Sequence, residues 1–572
     1  MSKRIVVIGA VALGPKAACR AKRLDPTADV VLIDQSDRIS YGGCGIPYFV
    51  SGEVNRVEDL QTTPYGTVRD ARFFETHKGV RTFTQTRATA VDRKAKTVTI
   101  ENLLTSKTSV LPYDKLVLAL GSSPNIPPIP GIELKGITPA TNLDEADEIR
   151  QAAQSGKVNH AVVVGGGFIG LEMAVSLADM WGIKTTIVEF AEQVMPNFLS
   201  PTLSNMVIHD LNNNDVTVYC SEGVTEFQGE NGKVTKVITN KRTIEADLVI
   251  MAAGVRPNTQ IAVDAGIKTT SRGLIVVDEQ MRTSDPDIYS GGDCACVKNL
   301  VTGNAEGWFP LGSMANRQGR VIGTNLINEG SQTFTGAVGA FGVKLFNQSA
   351  AGAGLTITNA LKEGYDAINV HVEQIDKAHF YPEKALTCLE LVVDKPTRKV
   401  LGIQGMSPNG DALSARINPV AALLCRGCKV ADISNLEVLY SPPFAAAMDI
   451  INVVGNVAEN IIEGRLIPMS QDEFAEAWAT ISSGESFLLD ARATVDATAQ
   501  VQAFSDVWHN IPQDEISERL DEIPKDKPII LICNTGLRSF DAQLDLTKNG
   551  YTNTRSVLGG ISSAKKLGVL PS

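Results

Sequence analysis

Two cysteines stand where sulfur chemistry would need them. Cys44 lies in SYGGCGIPYFVSGEV, where Gly42, Gly43 and Gly45 thin the backbone around the thiol and Pro47 suits an early helix position. A helix N-terminus at Cys44 predicts a lowered pKa and a thiolate. No second cysteine follows five positions on, where the chain has Phe49. A lone thiolate can cycle through a mixed disulfide or persulfide with a thiol substrate, or through a sulfenic acid with peroxide. Cys533 opens CNTGLRS at the end of the apolar run KPIILI. The loop from this strand-end cysteine to a helical serine can curl its N–H groups around the sulfur, and Arg538 adds a positive charge.

These thiols need elements that bring electrons to them. RIVVIGAVALGPKAACRAKRL followed by ADVVLID predicts a strand over Ile5 to Ile8, a turn through Gly9, Val11, Ala12 and Gly14, a helix, and a second strand ending at Asp34 and Gln35. Asp34 falls about 20 positions after the last glycine, where a carboxylate accepts hydrogen bonds from a ribose. Val11 replaces the middle glycine of the fingerprint. HAVVVGGGFIGLEMAVSLADMWGIKTTIVEF holds a complete copy, with Gly165, Gly167 and Gly170 framing Phe168 and Ile169, and Glu189 closing the next strand. Such glycines let a pyrophosphate approach a helix N-terminus. Glu189 accepts from the 2′-hydroxyl of NAD and repels a 2′-phosphate, and Phe190 and Ala191 supply no cation, so NADH is preferred over NADPH. KLVLALGSSP carries Ala119 and Gly121 at a strand end, DLVIMAAGVRPN repeats that pattern with Gly254, and TSDPDIYSGGDCACV reaches Asp293.

The chain has 572 residues, too many for one hydrophobic core, and its 43% hydrophobic and 20% charged composition is ordinary for a globular protein. A net charge of -11 gives no reason to propose a nucleic-acid partner. No apolar run approaches the ~18 residues needed to span a bilayer. The opening MSKRIVVIGAVALG reads better as a buried strand entering a glycine turn than as a signal peptide. Nine scattered cysteines fit a reducing, cytoplasmic compartment rather than a disulfide scaffold. The Cys425–Cys428 pair reads as a helix end, and the six His form no ligand cluster, so no metal is expected.

The order of these motifs over about residues 1 to 460 resembles the two-dinucleotide-binding flavoprotein disulfide reductases. The resemblance implies FAD on the first unit, with Asp293 holding the flavin ribitol, and the nicotinamide unit inserted into the FAD domain. The lone Cys44 is similar to the single-cysteine branch: coenzyme A disulfide reductases, related persulfide reductases, and NADH oxidases or peroxidases. It implies that Lys16, Arg20 and Arg23, spaced along one face of the first helix, belong with Ser40 and Gly43 to a coenzyme A site. A solvated basic face would show the same spacing. It also implies that Tyr381 and Tyr440 reach the partner's active site in a homodimer and donate a proton to a leaving thiolate. The branch commonly has Asn where this chain has Gly43, and Lys where it has Met448. The last hundred residues resemble a rhodanese, with LLDAR and the Cys533 loop matching and a degenerate VWHNIPQ between them.

The expected architecture is α/β: two Rossmann-like dinucleotide-binding domains, an α+β dimerisation domain and a C-terminal rhodanese-like α/β domain. The boundaries expected are 1–120 and 250–328 for FAD, 121–249 for NAD(P)H, 329–462 for dimerisation and 472–572 for the rhodanese domain. The function expected is NAD(P)H-dependent reduction of polysulfide, coenzyme A persulfide or coenzyme A disulfide. An NADH oxidase or peroxidase, and a redox sensor without turnover, are the alternatives.

Overall fold

A computed structural model describes residues 2–570. They form two compact units, one holding the chain up to Phe190 with Asp215–Ala337, the other holding Ala191–Asn214 with the chain from Val338 onward.

The first unit opens with β1 (Arg4–Ile8), whose last four side chains are all buried. A strand buried on both faces needs that unbroken apolar run, and it belongs in a parallel sheet. Helix α1 (Leu13–Leu24) takes Pro15 in its first turn. β2 (Asp29–Ile33), β3 (Arg81–Phe83) and β4 (Lys115–Leu118) join β1 in parallel. Between β1 and α1, Gly9 has φ +104°, and a Cβ there would lie 2.0 Å from the Ala119 carbonyl oxygen. The short helix α2 (Ile46–Ser51) has Pro47 in its first turn.

The chain then leaves to build a second parallel sheet. It comprises β5 (Ile137–Thr138), β6 (His160–Val164), β7 (Lys184–Val188), β8 (Val216–Tyr219) and β9 (Leu248–Met251), in the order β8-β7-β6-β9-β5. Helix α3 (Phe168–Trp181) follows β6 and ends at Gly182, whose φ of +61° is the usual left-handed stop. Only after this excursion does β10 (Ile288–Ser290) return to complete the first sheet as β10-β4-β1-β2-β3. Helix α4 (Gly312–Asn325) packs against α1, and a Cβ on Gly323 would lie 2.7 Å from Arg20 Cβ. Glycine permits that close approach of two helices.

The second unit holds an antiparallel sheet of β11 (Phe341–Leu345), β12 (Gln348–Gly354), β13 (Ala367–Ile375), β14 (Leu386–Asp394) and β15 (Lys399–Ser407). Its order is β11-β12-β15-β14-β13. Helix α5 (Gly410–Leu424) ends at Cys425, and α6 (Ile450–Ile462) begins at an Asp449 cap. A second, parallel sheet runs β16-β20-β19-β17-β18, from β16 (Pro468–Met469), β17 (Phe487–Asp490), β18 (Trp508–Asn510), β19 (Ile529–Ile532) and β20 (Thr554–Val557). Its helices include α7 (Gln471–Ser482), opened by a reciprocal Ser470–Glu473 capping box, α8 (Leu537–Lys548) and α9 (Gly560–Leu567). Among the described residues no helix is long and apolar enough to cross a membrane.

Candidate active site

The two glycine turns have one construction. Asp34 Oδ2 accepts the Ala10 N–H at 2.6 Å, and Oδ1 accepts the Ser36 N–H at 2.9 Å. Burial pushes the Asp34 carboxyl up, and these N–H groups oppose the shift. Glu189 Oε2 accepts the Gly166 N–H at 2.5 Å in the second turn. A Cβ on Gly14 would lie 1.8 Å from the Gly9 carbonyl oxygen, and one on Gly170 would lie 1.9 Å from that of Gly165. Each helix thus starts pressed against its strand. Val11 is 39% exposed and avoids the left-handed region, so a side chain fits where the usual glycine is missing.

Both turns leave room for a dinucleotide. A Cβ on Gly167, the N-cap of α3, would meet nothing within 4 Å, and neither would one on Gly121 or Gly254, which have φ of +64° and +87°. A cavity of about 580 Å³ is lined by Gly9, Asp34, Gln35, Thr86, Arg256 and Asn258. That volume suits a nucleotide portion of a ligand. Asp293 is fixed by Ser122 Oγ at 2.8 Å, and burial pushes its carboxyl up. The carboxylates, open glycines and helix N-termini fit FAD on the first turn and a nicotinamide nucleotide on the second.

Cys44 occupies a single 3-10 turn, Gly43–Gly45, ahead of α2. A Cβ on Gly45 would lie 2.4 Å from Leu60 Cδ2, and the Gly42 N–H donates to the Leu60 carbonyl at 2.9 Å. The thiol is reachable from solvent, yet much of its surroundings is protein. The Cβ position of Gly312, first residue of α4, is 3.7 Å from Cys44 Sγ, so a second helix start meets the sulfur. The thiol is nonetheless raised above its ordinary value, first by burial and then by Glu172 and Asp293. The helix ends, from which a lowered value is expected, are outweighed by desolvation.

Glu172, on α3, is the residue that sequence reasoning missed. Burial pushes its carboxyl up to about 7, and Tyr48 Oη donates to its Oε1 at 3.5 Å. Tyr48 is itself pushed up to about 12 by burial and by Glu172. The only sequence signal was an acid two places after the last fingerprint glycine, and its chemistry depends on burial.

Of the basic face on α1, Lys16 and Arg23 are exposed, whereas Arg20 is half-buried and its Nε donates to Thr324 Oγ1 at 3.0 Å. Ser40 is buried in the left-handed region with φ 52°, and its N–H donates to the Ala10 carbonyl at 2.7 Å.

In the second unit, Tyr381 and Tyr440 ride on neighbouring loops. The Ala378 N–H donates to the Pro442 carbonyl at 3.4 Å. Buried Arg416 holds both loops, donating from Nη2 to the carbonyls of Asp376 (2.8 Å) and Phe444 (3.2 Å) and to Asp449 Oδ2 (2.7 Å). Tyr440 is 52% exposed among exposed Leu439, Phe444 and Met448.

Cys533 is buried at the end of β19. The Gly536 N–H donates to its Sγ at 3.1 Å, with Ser539 Oγ at 3.5 Å. Gly536 has φ +110°, which turns its N–H inward ahead of α8. Arg538 lies 3.8 Å from Asp496. Asp490 and Arg492 are buried and paired with each other at 2.6 Å, with Trp508 Nε1 donating to Asp490 at 3.0 Å, so the LLDAR segment braces this sheet. Among the described residues no group of three or more His, Cys, Asp or Glu gathers as a metal site would.

Residues 3–319 match the model of the pyridine nucleotide-disulphide oxidoreductases, residues 341–450 match the dimerisation domain of that family, and residues 473–567 match the rhodanese-like domain. The chain is 32% identical over 457 residues to the NAD(P)H sulfur oxidoreductase (CoA-dependent) of Pyrococcus abyssi, covering 80% of this chain and 98% of that one. A solved structure of an NAD-dependent persulfide reductase from A. fulgidus superposes with a TM-score of 0.92 at 35% identity, over 98% of this chain and 99% of that one. Reduced CoADR-RHD from Bacillus anthracis gives 0.89 at 31% identity, over 99% and 98%.

Proposed function

The chain belongs to the pyridine nucleotide-disulphide oxidoreductase family, which works with FAD and NAD(P)H, and from that premise we propose that it reduces sulfane sulfur with NADH. The observation that carries this reading is the pairing in one chain of a lone, reachable Cys44 with a Cys533 held by a backbone N–H. A backbone donor aimed at sulfur stabilises its anion, so Cys533 is read as a carrier of sulfane sulfur.

FAD, when bound, carries the two electrons of the hydride from NADH to the Cys44 sulfur. Cys533 loads sulfur onto a thiol such as coenzyme A, giving R–S–SH. The Cys44 sulfur attacks the outer sulfur, the bond to R–S breaks, and R–S⁻ leaves. Two electrons then break the S–S bond at Cys44 and release HS⁻. The sum is R–S–SH + NADH + H⁺ → R–SH + H₂S + NAD⁺. Coenzyme A disulfide enters by the same attack and yields two thiols. Glu172, whose charge acts on Cys44 and whose own carboxyl is pushed up to about 7 by burial, is read as the holder of the proton that Cys44 gives up.

In this reading Lys16, Arg20, Arg23, Ser40 and Gly43 line the coenzyme A site. Asp34, Gln35 and Asp293 hold FAD, and Glu189 holds the ribose of NADH. The chain works as a homodimer in a reducing cytoplasm, with Tyr381 and Tyr440 of one protomer protonating the thiolate leaving in its partner, and Arg538 assisting Cys533. Residues 1–120 with 250–328 hold FAD, 121–249 the nicotinamide nucleotide, 329–462 dimerise and 472–572 form the rhodanese domain. The division is supported by a first sheet that recruits β10 after the second sheet is complete.

Anaerobic NADH oxidation tests the proposal. Polysulfide, coenzyme A persulfide or coenzyme A disulfide should be consumed far faster than peroxide or oxygen, with sulfide or thiol as product. The reverse order overturns it.

A further inference from the structure

A buried polar cluster lies within the second unit, and its hydrogen bonds go to partners other than the Cys533 sulfur. His371 and Glu390 are direct cross-strand partners on β13 and β14, and Glu373 pairs in the same way with Cys388. Residues two apart on a strand share a face, so all four side chains point the same way. His371 Nδ1 is 3.1 Å from Glu390 Oε1, and Nε2 is 2.7 Å from Ser563 Oγ on α9. Ser563 Oγ donates to Glu373 Oε1 at 2.9 Å, and Lys566 Nζ donates to both Glu373 oxygens at 3.0 and 2.8 Å. His371, Glu373, Glu390 and Ser563 are all buried.

The His371 ring is thus held at both nitrogens, by Glu390 on β14 and by Ser563 on α9, while Ser563 and Lys566 share Glu373. Buried polar groups persist when they are paired in this way. The other ionisable groups nearby are Cys388, which burial pushes up to about 12, and Asp472 on α7, which burial and Glu390 push up.

The cluster is one turn of chain from Cys533. Gly559 and Gly560 are consecutive left-handed residues with φ of +71° and +53°. A Cβ on Gly559 would lie 2.7 Å from His371 Cδ2, and one on Gly560 would lie 2.2 Å from the Cys533 carbonyl oxygen. This turn is therefore pressed between the His371 ring and the backbone of the sulfur loop. Beyond it, the first N–H groups of α9 bond that loop, Ile561 N–H to Cys533 O at 2.9 Å and Ser562 N–H to Asn534 O at 3.0 Å. One side of α9 thus holds the loop, and Ser563 and Lys566 anchor the helix to β13.

We propose that His371, held by Glu390, is a positioning residue for Cys533 and acts through Ser563 and the Gly559–Gly560 turn. The sheet of β13 and β14 thereby sets the geometry of a sulfur loop on a different sheet. The proposal rests on the reading of Cys533 as a sulfur carrier.

The test uses the full-length holoenzyme and three variants. His371→Gln should lower sulfur transfer from thiosulfate by roughly tenfold or more, as small misplacements of a reacting group do. NADH-dependent disulfide reduction at Cys44 should stay within about twofold of the parent chain, because nothing in that reaction uses α9. Adding Glu390→Gln removes the buried carboxyl group that has lost its ring partner and should restore much of the lost transfer, which a loss of packing alone would not allow. Unchanged transfer in His371→Gln, no recovery in the double variant, or an equal loss at Cys44 would overturn the proposal. If His371→Gln does not fold, Ser563→Ala must show the same selective loss or the proposal fails. If the parent chain itself transfers no sulfur, the carrier reading fails, and the rate of Cys533 alkylation, read peptide by peptide, decides the positioning. A change of roughly tenfold in His371→Gln upholds it and an unchanged rate rejects it.

Discussion

The Gly536 N–H points at Cys533 Sγ from 3.1 Å, and Gly536 can do so because its φ is +110°. That backbone conformation is costly for any residue with a Cβ, although the space around it is open, the nearest atom being Gly559 N at 3.6 Å. Gly536→Ala should therefore cost about 1–2 kcal/mol of stability through backbone strain. It should also turn the donor away from sulfur. Thiosulfate sulfurtransfer would fall while NADH-dependent disulfide reduction persists, and an assay of both on one preparation checks it.

Glu172 gives a pH signature. Its folded value of about 7 exceeds the ordinary 4.5, so the folded chain holds this proton more tightly than the unfolded chain. The proton's contribution is fully present below pH 4.5 and is lost as pH rises toward 7. The total is about 3 kcal/mol. Glu172→Gln should flatten that part of the profile, seen as a smaller drop in Tm between pH 4.5 and 7.

Arg416 and the tyrosines separate scaffolding from chemistry. Arg416→Met leaves Asp449 buried without its cation, which should cost about 3–5 kcal/mol. Denaturant midpoints would report it. Tyr381→Phe and Tyr440→Phe should leave those midpoints in place and lower turnover instead.

In the proposed reading, Glu189 sets the choice of nicotinamide nucleotide. Glu189→Ala removes a charge-assisted acceptor of about 1.5–3 kcal/mol. The kcat/KM for NADH should fall by about tenfold or more, and the ratio to NADPH should move toward parity. Steady-state kinetics with both nucleotides measures the shift.

The sequence carried the parts of this molecule that are local. The valine run of β1, the glycine turns and the acids at Asp34 and Glu189 lie within a few dozen positions, and their spacing encodes their geometry. The Cys533 loop was legible for the same reason. Val11 broke the pattern without harm, because its side chain faces outward. What stayed hidden depends on distant packing. The raised thiol of Cys44 comes from burial, and the acidity of Glu172 comes from walls supplied by other elements. Nothing in the sequence singles out Arg416, and only the fold shows it gathering two loops. His371 and Ser563 are 192 positions apart, beyond any motif.

The late arrival of β10 bears on how the chain is made. Lys115, at the start of β4, bonds Asp287, 172 positions later. While the ribosome is still producing the second sheet, β4 offers an open edge of unsatisfied backbone groups, the kind that recruits strands from other chains. The nascent protein thus has a vulnerable interval that ends when β10 docks. Truncation before residue 288 should yield a product that clings to chaperones or aggregates more than one truncated after α4.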